Sequence, residues 1–243
     1  MMIAGSGSIP GGIYNDRLDI SGSGKVTGDI VCTEFHSSGS SSVEGSLECG
    51  RFACSGASRI HGNLTAGHIS ASGSCRIDGI MNSNEEVHLS GSVNCAGIQA
   101  NLLKVSGSCN VSGDIAAETI TTSGIIHCQG LMNAENVSIT FTNTGSAESI
   151  GGSNIQIIRS DSQIKSGGIF HFLAKTFNNP DGFFDVKDSI EGDMILLENV
   201  SAKSVTGRVV TIGPGCDIDH VSYIESVSIS PEAGVGAVDQ IMM

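Results

Sequence analysis

Apolar and polar residues alternate along most of the chain, in short stretches where every second residue is apolar. Val26, Val43, Ile60 and Ile77, for example, each stand between polar neighbours. Alternation with a period of two puts successive side chains on opposite faces of a strand, so it predicts β-strands with one buried and one exposed face. The stretches are separated by glycines, which predicts many short strands rather than a few long ones.

The alternating stretches recur about every 17 residues, with a Ser-Gly pair near the start of each repeat and a second glycine six residues later. The first glycines are Gly22, Gly39, Gly56, Gly73, Gly91, Gly107 and Gly124, and the second glycines are Gly28, Gly45, Gly62, Gly79, Gly97, Gly113 and Gly130. Glycines at a fixed period predict a chain that turns at the same points in every repeat, as in a solenoid.

Alignment of the repeats on their glycines produces three columns of mainly apolar residues, which predict ladders of side chains facing the interior. The columns are Met1, Leu18, Phe35, Phe52, Ile69, Val87, Leu103 and Ile120; then Ile9, Val26, Val43, Ile60, Ile77, Cys95, Val111 and Cys128; then Ile13, Ile30, Leu47, Leu64, Met81, Gln99, Ile115 and Met132. Coils of three short strands, stacked about 4.8 Å apart, explain these columns. The sequence therefore predicts an all-β parallel β-helix with about 17 residues per coil.

The repeat divides the chain into three regions. Residues 1–140 form regular coils, residues 141–187 form irregular Phe-rich coils with a loop excursion, and residues 188–243 return to regular coils that continue the solenoid. The middle region holds six of the eight phenylalanines. In the last region, Val210, Ile212 and Ile218 recur 17 residues later as Val227, Ile229 and Val235.

Composition and charge narrow the class of protein. Aromatic residues make up only 4% of the chain and tryptophan is absent, which suits a narrow interior filled by aliphatic side chains. A net charge of −13 repels phosphate backbones, so no nucleic-acid partner is expected.

No apolar stretch reaches the roughly 20 residues that span a bilayer, and no signal peptide is recognisable, so a cytoplasmic location is expected. The short apolar opening 1–4 fits a first strand better than a membrane-inserting segment, and membrane association is the alternative.

The eight cysteines are expected to be small core residues with free thiols. Cys32 and Cys49 share an inward column on adjacent coils, which puts them within disulfide range if they are oxidised. No CxxC pair exists, and His36, His61 and His88 are expected to point outward from different columns. The sequence therefore predicts no metal and no cofactor.

Four acids near the second glycines allow two interpretations: Asp29, Glu44, Asp78 and Asp114. They either form a solvated face or belong to a carbohydrate-active β-helix enzyme, a lyase or a hydrolase. Such enzymes have longer, uneven coils with loops and aromatic sugar platforms, whereas these coils are short and uniform. We therefore expect a protein that is not an enzyme, with the carbohydrate-active enzyme as the alternative.

The chain resembles the bactofilins, the polymer-forming cytoskeletal proteins of bacteria. The resemblance is carried by ISGSGKVTGDI at 20–30, IAGSGSIPGGIY at 3–14 and GRVVTIGPGCDIDHVSYIESVSISPEAGVG at 207–236. It implies a right-handed β-helix that assembles end to end into nonpolar filaments without nucleotide, as a scaffold for cell shape, envelope growth or motility. Its partners would be other copies, a related second subunit, and envelope or motility proteins. A typical bactofilin has one short β-helix between disordered tails, whereas this chain has a second helical portion.

The physics of an open solenoid predicts the same behaviour. Each end exposes unpaired backbone groups and a layer of core side chains, and such edges invite strand addition unless they are capped. The residues predicted to make end-to-end contacts are Met1, Ile3 and Ile9 in the first coil and Ile229, Val235 and Ile241 in the last.

Overall fold

The structure is a computed structural model that describes residues 1–160 and 182–242. It confirms the predicted fold class, an all-β parallel solenoid with about 17 residues per turn, and within these residues it contains no α-helix. The chain divides into two compact units, Met1–Thr119 and Ile120–Met243.

The first unit is built from strands that are mostly short and end at the glycine corners. The strands are β1 (Met2–Ile3), β2 (Ser6–Ile20), β3 (Ser23–Ser37), β4 (Ser40–Val43), β5 (Leu47–Cys54), β6 (Ala57–Ile60), β7 (Leu64–Ala71), β8 (Ser74–Ile77), β9 (Ile80–Leu89), β10 (Ser92–Cys95), β11 (Gly97–Val105), β12 (Ser108–Val111) and β13 (Ile115–Thr122), which contains the unit boundary.

The second unit contains both short strands and strands of 11 to 14 residues. They are β14 (Ile125–Cys128), β15 (Leu131–Phe141), β16 (Gly145–Ala147), β17 (Ser149–Arg159), β18 (Phe184–Leu197), β19 (Val200–Ile212), β20 (Asp217–Ile229) and β21 (Gly234–Gln240). Within each unit, every strand pairing with a determined register is parallel.

The inward columns of the first unit follow the predicted register. Val26, Val43, Ile60 and Ile77 are successive partners in neighbouring strands, and all four are buried. Phe35 and Phe52 are partners in β3 and β5, and their rings stack with centroids 5.7 Å apart. The core is therefore a stack of like residues that excludes water along the interior of the coils.

Two residues placed in the third inward column were assigned wrongly, each by one position. Ile30 pairs with Gly12 rather than with Ile13, because the register shifts between Pro10 and Gly12, and Ile13 is 77% exposed. Met81 pairs with Ile98 rather than with Gln99, so Ile98 is the buried member of that column. Irregularities of one residue move a side chain to the opposite face of a strand, and glycine spacing alone does not reveal them.

The Ser-Gly corners stack so closely that only glycine fits. A Cβ atom added to Gly56 would overlap the carbonyl oxygen of Gly39, and one added to Gly73 would overlap that of Gly56. The amides of Ser55 and Gly56 both donate to the carbonyl of Ser37, at 2.9 and 3.3 Å. The repeated glycine is thus a requirement of backbone packing between coils.

The predicted region 141–187 is described in part. Phe141 ends β15 and Phe184 opens β18, and their buried rings lie 5.9 Å apart. β17 pairs directly with β18, for example through Ile150 and Ile190. Residues 161–181 of this region lie outside the described residues, and with them most of the predicted loop excursion.

The last region keeps the predicted register. Val227 and Ile229 pair with Val210 and Ile212, and Val235 pairs with Ile218. At these positions, strand partners lie 17 residues apart in the sequence.

Candidate functional site

The edge formed by β21 carries inward-facing residues that nothing in the described chain covers. Ile190, Val205, Val221 and Val238 are successive partners in β18 to β21. The first three are fully buried, whereas Val238 is 42% exposed. Val238 therefore has the position of a core residue and the exposure of a surface residue.

The predicted contact residues of this edge are also more exposed than their strand partners one coil earlier. Ile229 and Val235 are half-buried, whereas their partners Ile212 and Ile218 are buried. Ile241 is exposed, and its amide donates to the carbonyl of Tyr223 at 2.8 Å. Among the described residues β21 pairs only with β20, so its outer backbone groups have no strand partner. We name this surface the C-terminal face: Val227, Ile229, Val235, Val238 and Ile241.

The edge of the first unit differs. β1 pairs with only Asp19 and Ile20 of β2, so in the described structure residues 6–18 of β2 have no strand on their outer side. The predicted contacts Ile3 and Ile9 are buried within this edge, each 8% exposed. The third, Met1, is half exposed, and its terminal amine donates to the carbonyl of Arg17 at 2.6 Å. This edge therefore offers backbone groups together with the exposed apolar side chains of Met1, Met2 and Ile13.

The acids proposed as a solvated face are engaged by neighbouring coils. Glu44 lies 3.1 Å from Lys25, and Asp78 lies 3.1 Å from Arg59. Hydrogen bonds from these cations hold the pKa of both carboxyls below the usual range. Asp114 contributes its backbone carbonyl, which accepts from the amide of Ile98 at 3.0 Å.

Asp29 belongs to a relay between coils that the sequence did not reveal. Its Oδ1 accepts from the amide of Ser46 at 2.7 Å, the Oγ of Ser46 accepts from the amide of Asn63 at 3.1 Å, and the Oδ1 of Asn63 accepts from the amide of Ile80 at 2.9 Å. Each side chain satisfies a backbone donor one coil further on. The signal was present as a short polar residue directly after three successive second glycines, Gly28, Gly45 and Gly62.

A shallow groove of about 860 Å³ runs along one side of the first unit. Its floor includes small residues such as Cys49, Ala66 and Ser83, and its walls carry amides and hydroxyls such as Asn82 and Thr65. The groove has acids at its two ends, Glu48 and Glu118, and none of its lining residues is aromatic or basic.

The cysteines lie where the pattern predicted. All eight are buried. Cys32 and Cys49 are direct partners in β3 and β5, and Cys75 and Cys109 are each partners of Val93. Burial raises the pKa of Cys216 to about 11.

His36, His61 and His88 point outward, as predicted. His36 lies 3.2 Å from Asp19, and His61 lies 3.0 Å from Asp78. In residues 1–160 and 182–242 no group of three or more His, Cys, Asp or Glu side chains is arranged to hold a metal ion. Across the same residues, no helix has the length and apolar character needed to cross a bilayer.

Comparisons with known proteins find limited similarity. No protein-family model matches the chain, and no solved structure matches it. Two proteins of Bacillus subtilis strain 168 match short parts of it: uncharacterized protein YhbE is 48% identical over 46 residues, and uncharacterized protein YhbF is 40% identical over 50 residues. These matches cover 19% and 21% of this chain and the same shares of the two relatives, about a fifth of the length of each.

Proposed function

We propose that this protein is a non-enzymatic scaffold of the bactofilin type, which assembles end to end into filaments without nucleotide. The observation that carries the proposal is the C-terminal face, where Val238 continues a fully buried column and is itself 42% exposed. An uncovered apolar layer beside an unpaired strand is a surface that favours strand addition.

A second copy of this chain is the occupant that fits this face. In β18 to β20 a buried β-branched residue is covered by another one coil further on, as Ile190 is by Val205 and Val205 is by Val221. A partner therefore has to present a coil of matching size, with β-branched residues in matching positions. Another copy presents such a coil at its own edge, and it also supplies backbone donors and acceptors for β21.

The charge of the sides supports a filament rather than an unordered aggregate. The net charge of −13 keeps lateral contacts between copies unfavourable and leaves the edges as the attractive surfaces. The acidic sides would then dock envelope or motility proteins, and a related second subunit would join through the same edges. A cytoplasmic location, with or without contact to a membrane, suits a scaffold for cell shape, envelope growth or motility.

The experiment compares assembly of the native chain with that of Val238→Lys. An ammonium group at this position is tolerated at a free surface, but its burial without a partner against another copy is costly. In analytical ultracentrifugation and negative-stain electron microscopy without nucleotide, we expect filaments from the native chain. We expect at least a tenfold smaller assembled fraction from Val238→Lys.

The matched control is Ile80→Lys on β9, where a side chain of similar exposure, 39%, lies between neighbouring coils rather than at an edge. It should assemble like the native chain. Circular dichroism of both variants checks that the β-structure is retained. A native chain that stays monomeric at high concentration, or a Val238→Lys variant that forms normal filaments, would refute the proposal.

The carbohydrate-active enzyme is the competing function, and the groove of the first unit is the place to test it. Glycosidic hydrolysis needs two carboxyl groups roughly 5–10 Å apart. Glu48 and Glu118 stand four coils apart, which corresponds to roughly 19 Å at the usual interstrand distance. Since the other groove residues carry no carboxylate, this spacing argues against paired-acid catalysis there.

A further inference from the structure

The first unit holds two thiols that face each other across neighbouring coils. Cys32 and Cys49 are direct register partners in β3 and β5. The successive strand partners in this column are Tyr14, Cys32, Cys49 and Ala66, so the two cysteines are neighbours in one column. Both are nearly buried, with 6% and 7% of their surface exposed.

Their geometry suits a covalent link. Neighbouring strands lie about 4.8 Å apart, so in-register partners have Cα atoms inside the roughly 4.4–6.8 Å range that a disulfide spans. The two thiols are already within hydrogen-bonding reach of each other. Little movement of the backbone is therefore needed to bring the two sulfur atoms together.

The pair also lies beside an access path. Cys49 lines the groove of about 860 Å³ on the side of this unit, together with the small residues Ala66 and Gly67. A small oxidant that enters the groove reaches Cys49 directly and Cys32 one strand away. Cys109 and Cys216 are also buried, but neither is among the residues of this groove.

We propose that Cys32 and Cys49 form a dithiol modification site, which a low-molecular-weight disulfide converts to a disulfide that joins two neighbouring coils. This site is independent of the C-terminal face. The link would close a loop of 17 residues and tie β3 to β5.

The exchange balances with a small disulfide as the oxidant. The thiolate of one cysteine attacks a sulfur of the small disulfide, forms a mixed disulfide and releases one small thiol. The second cysteine loses its proton to solvent and attacks the sulfur of the first, which releases the second small thiol. Two protein thiols are oxidised and one small disulfide is reduced to two thiols.

Contact between the two thiols couples their ionisation: it lowers the pKa of Cys32 and, together with burial, raises that of Cys49. The thiolate is the reactive form. Attack by either cysteine first leads to the same disulfide.

The interior offers a matched comparison in Cys54 and Cys75. These thiols are also within hydrogen-bonding reach of each other. Their strand partners, however, are Ala71 and Val93, so they belong to different columns. They are 2% and 1% exposed, and neither lines the groove. If proximity alone decided, both pairs would be oxidised. Access from the groove and the shared column favour oxidation of Cys32 and Cys49.

The experiment treats the full-length native protein with 2-hydroxyethyl disulfide, blocks remaining thiols with an alkylating agent and maps linked peptides by mass spectrometry. We expect the peptide that links Cys32 and Cys49 to be at least tenfold more abundant than any other link. The melting temperature should rise by about 5 °C or more, because the link restricts the unfolded chain, and a reductant should reverse this rise.

Two variants distinguish oxidation of Cys32 and Cys49 from oxidation of the cysteines in general. Cys49→Ser should abolish the rise in melting temperature, and Cys54→Ser should retain it. The mapping on the native protein needs no variant, so it decides the question even if a substitution impairs folding. Equal alkylation of Cys32 and Cys109 after oxidation, or a predominant link between Cys54 and Cys75, would overturn the proposal.

Discussion

Val221 and Val238 occupy the same column one coil apart and differ only in what lies above them. Val221 is fully buried between β19 and β21, whereas Val238 in β21 is 42% exposed. The sequence pattern around both residues is that of a core strand. The comparison teaches that, in a stacked fold, a residue becomes part of the core only when the next coil is present. The inward apolar side chains of β21 therefore stay partly exposed until another coil covers them.

The largest effect should come from the glycine corners. Gly56→Ala places a Cβ against the backbone of Gly39 and Ser38, which cannot move without disturbing the stack. We expect a loss of roughly 2–4 kcal/mol in the free energy of unfolding, measured by urea denaturation.

The matched control for the corner is Gly5→Ala in the first coil. Among the described residues, no atom lies within 4 Å of a Cβ at Gly5, so this position is not packed against another turn. Its effect should be below about 0.5 kcal/mol. Equal losses for the two variants would mean that the glycines serve the conformation of the isolated turn rather than contact between coils.

A smaller effect separates the covered and uncovered valines themselves. Val221→Ala removes two buried methyl groups and should cost roughly 2 kcal/mol, whereas Val238→Ala in dilute protein should cost less than about 1 kcal/mol. Chemical denaturation at low protein concentration measures both. At concentrations where the protein assembles, the cost of Val238→Ala should increase, and a cost that does not depend on concentration would contradict burial of this residue between copies.

The smallest effect concerns the ion pairs on the sides of the coils. The Arg59 guanidinium holds the pKa of Asp78 below its ordinary value, so the folded chain binds this proton less readily than the unfolded chain. The resulting stability is present above about pH 4 and is lost as the pH falls through the lower pKa of the folded state.

Asp78→Asn should therefore lower the melting temperature slightly at pH 7, and the difference from the native chain should shrink below about pH 3. The more exposed Asp239 at the last coil, 3.3 Å from His220, gives the control. Asp239→Asn should change the melting temperature less at pH 7. A difference for Asp78→Asn that persists at low pH would mean that packing rather than charge is responsible.

Much of this fold follows from the sequence, because each inward residue repeats at a fixed interval and each corner carries a glycine. Ile13 and Gln99 were misplaced because the ladder slips by one residue near them, and no change of composition marks the slip. The C-terminal face was predicted through Ile229, Val235 and Ile241, but Val238 was not, since its partner Val221 is recognised only from the register.

The relay of Asp29, Ser46 and Asn63 could not be predicted from the sequence for a different reason. These residues differ in charge and size, and what they share is an oxygen atom that accepts a backbone amide. Sequence patterns compare side chains by polarity and not by the atom that a neighbouring coil requires.

The stacked glycine corners also restrict how such a protein can change its length. An insertion of a few residues would move a bulky side chain into the place of Gly56, where the preceding turn leaves no room. A gain or loss of one complete turn keeps every glycine above another glycine. We therefore expect lineages of this protein to lengthen or shorten by duplication or deletion of whole turns, so that their sizes differ in multiples of one repeat.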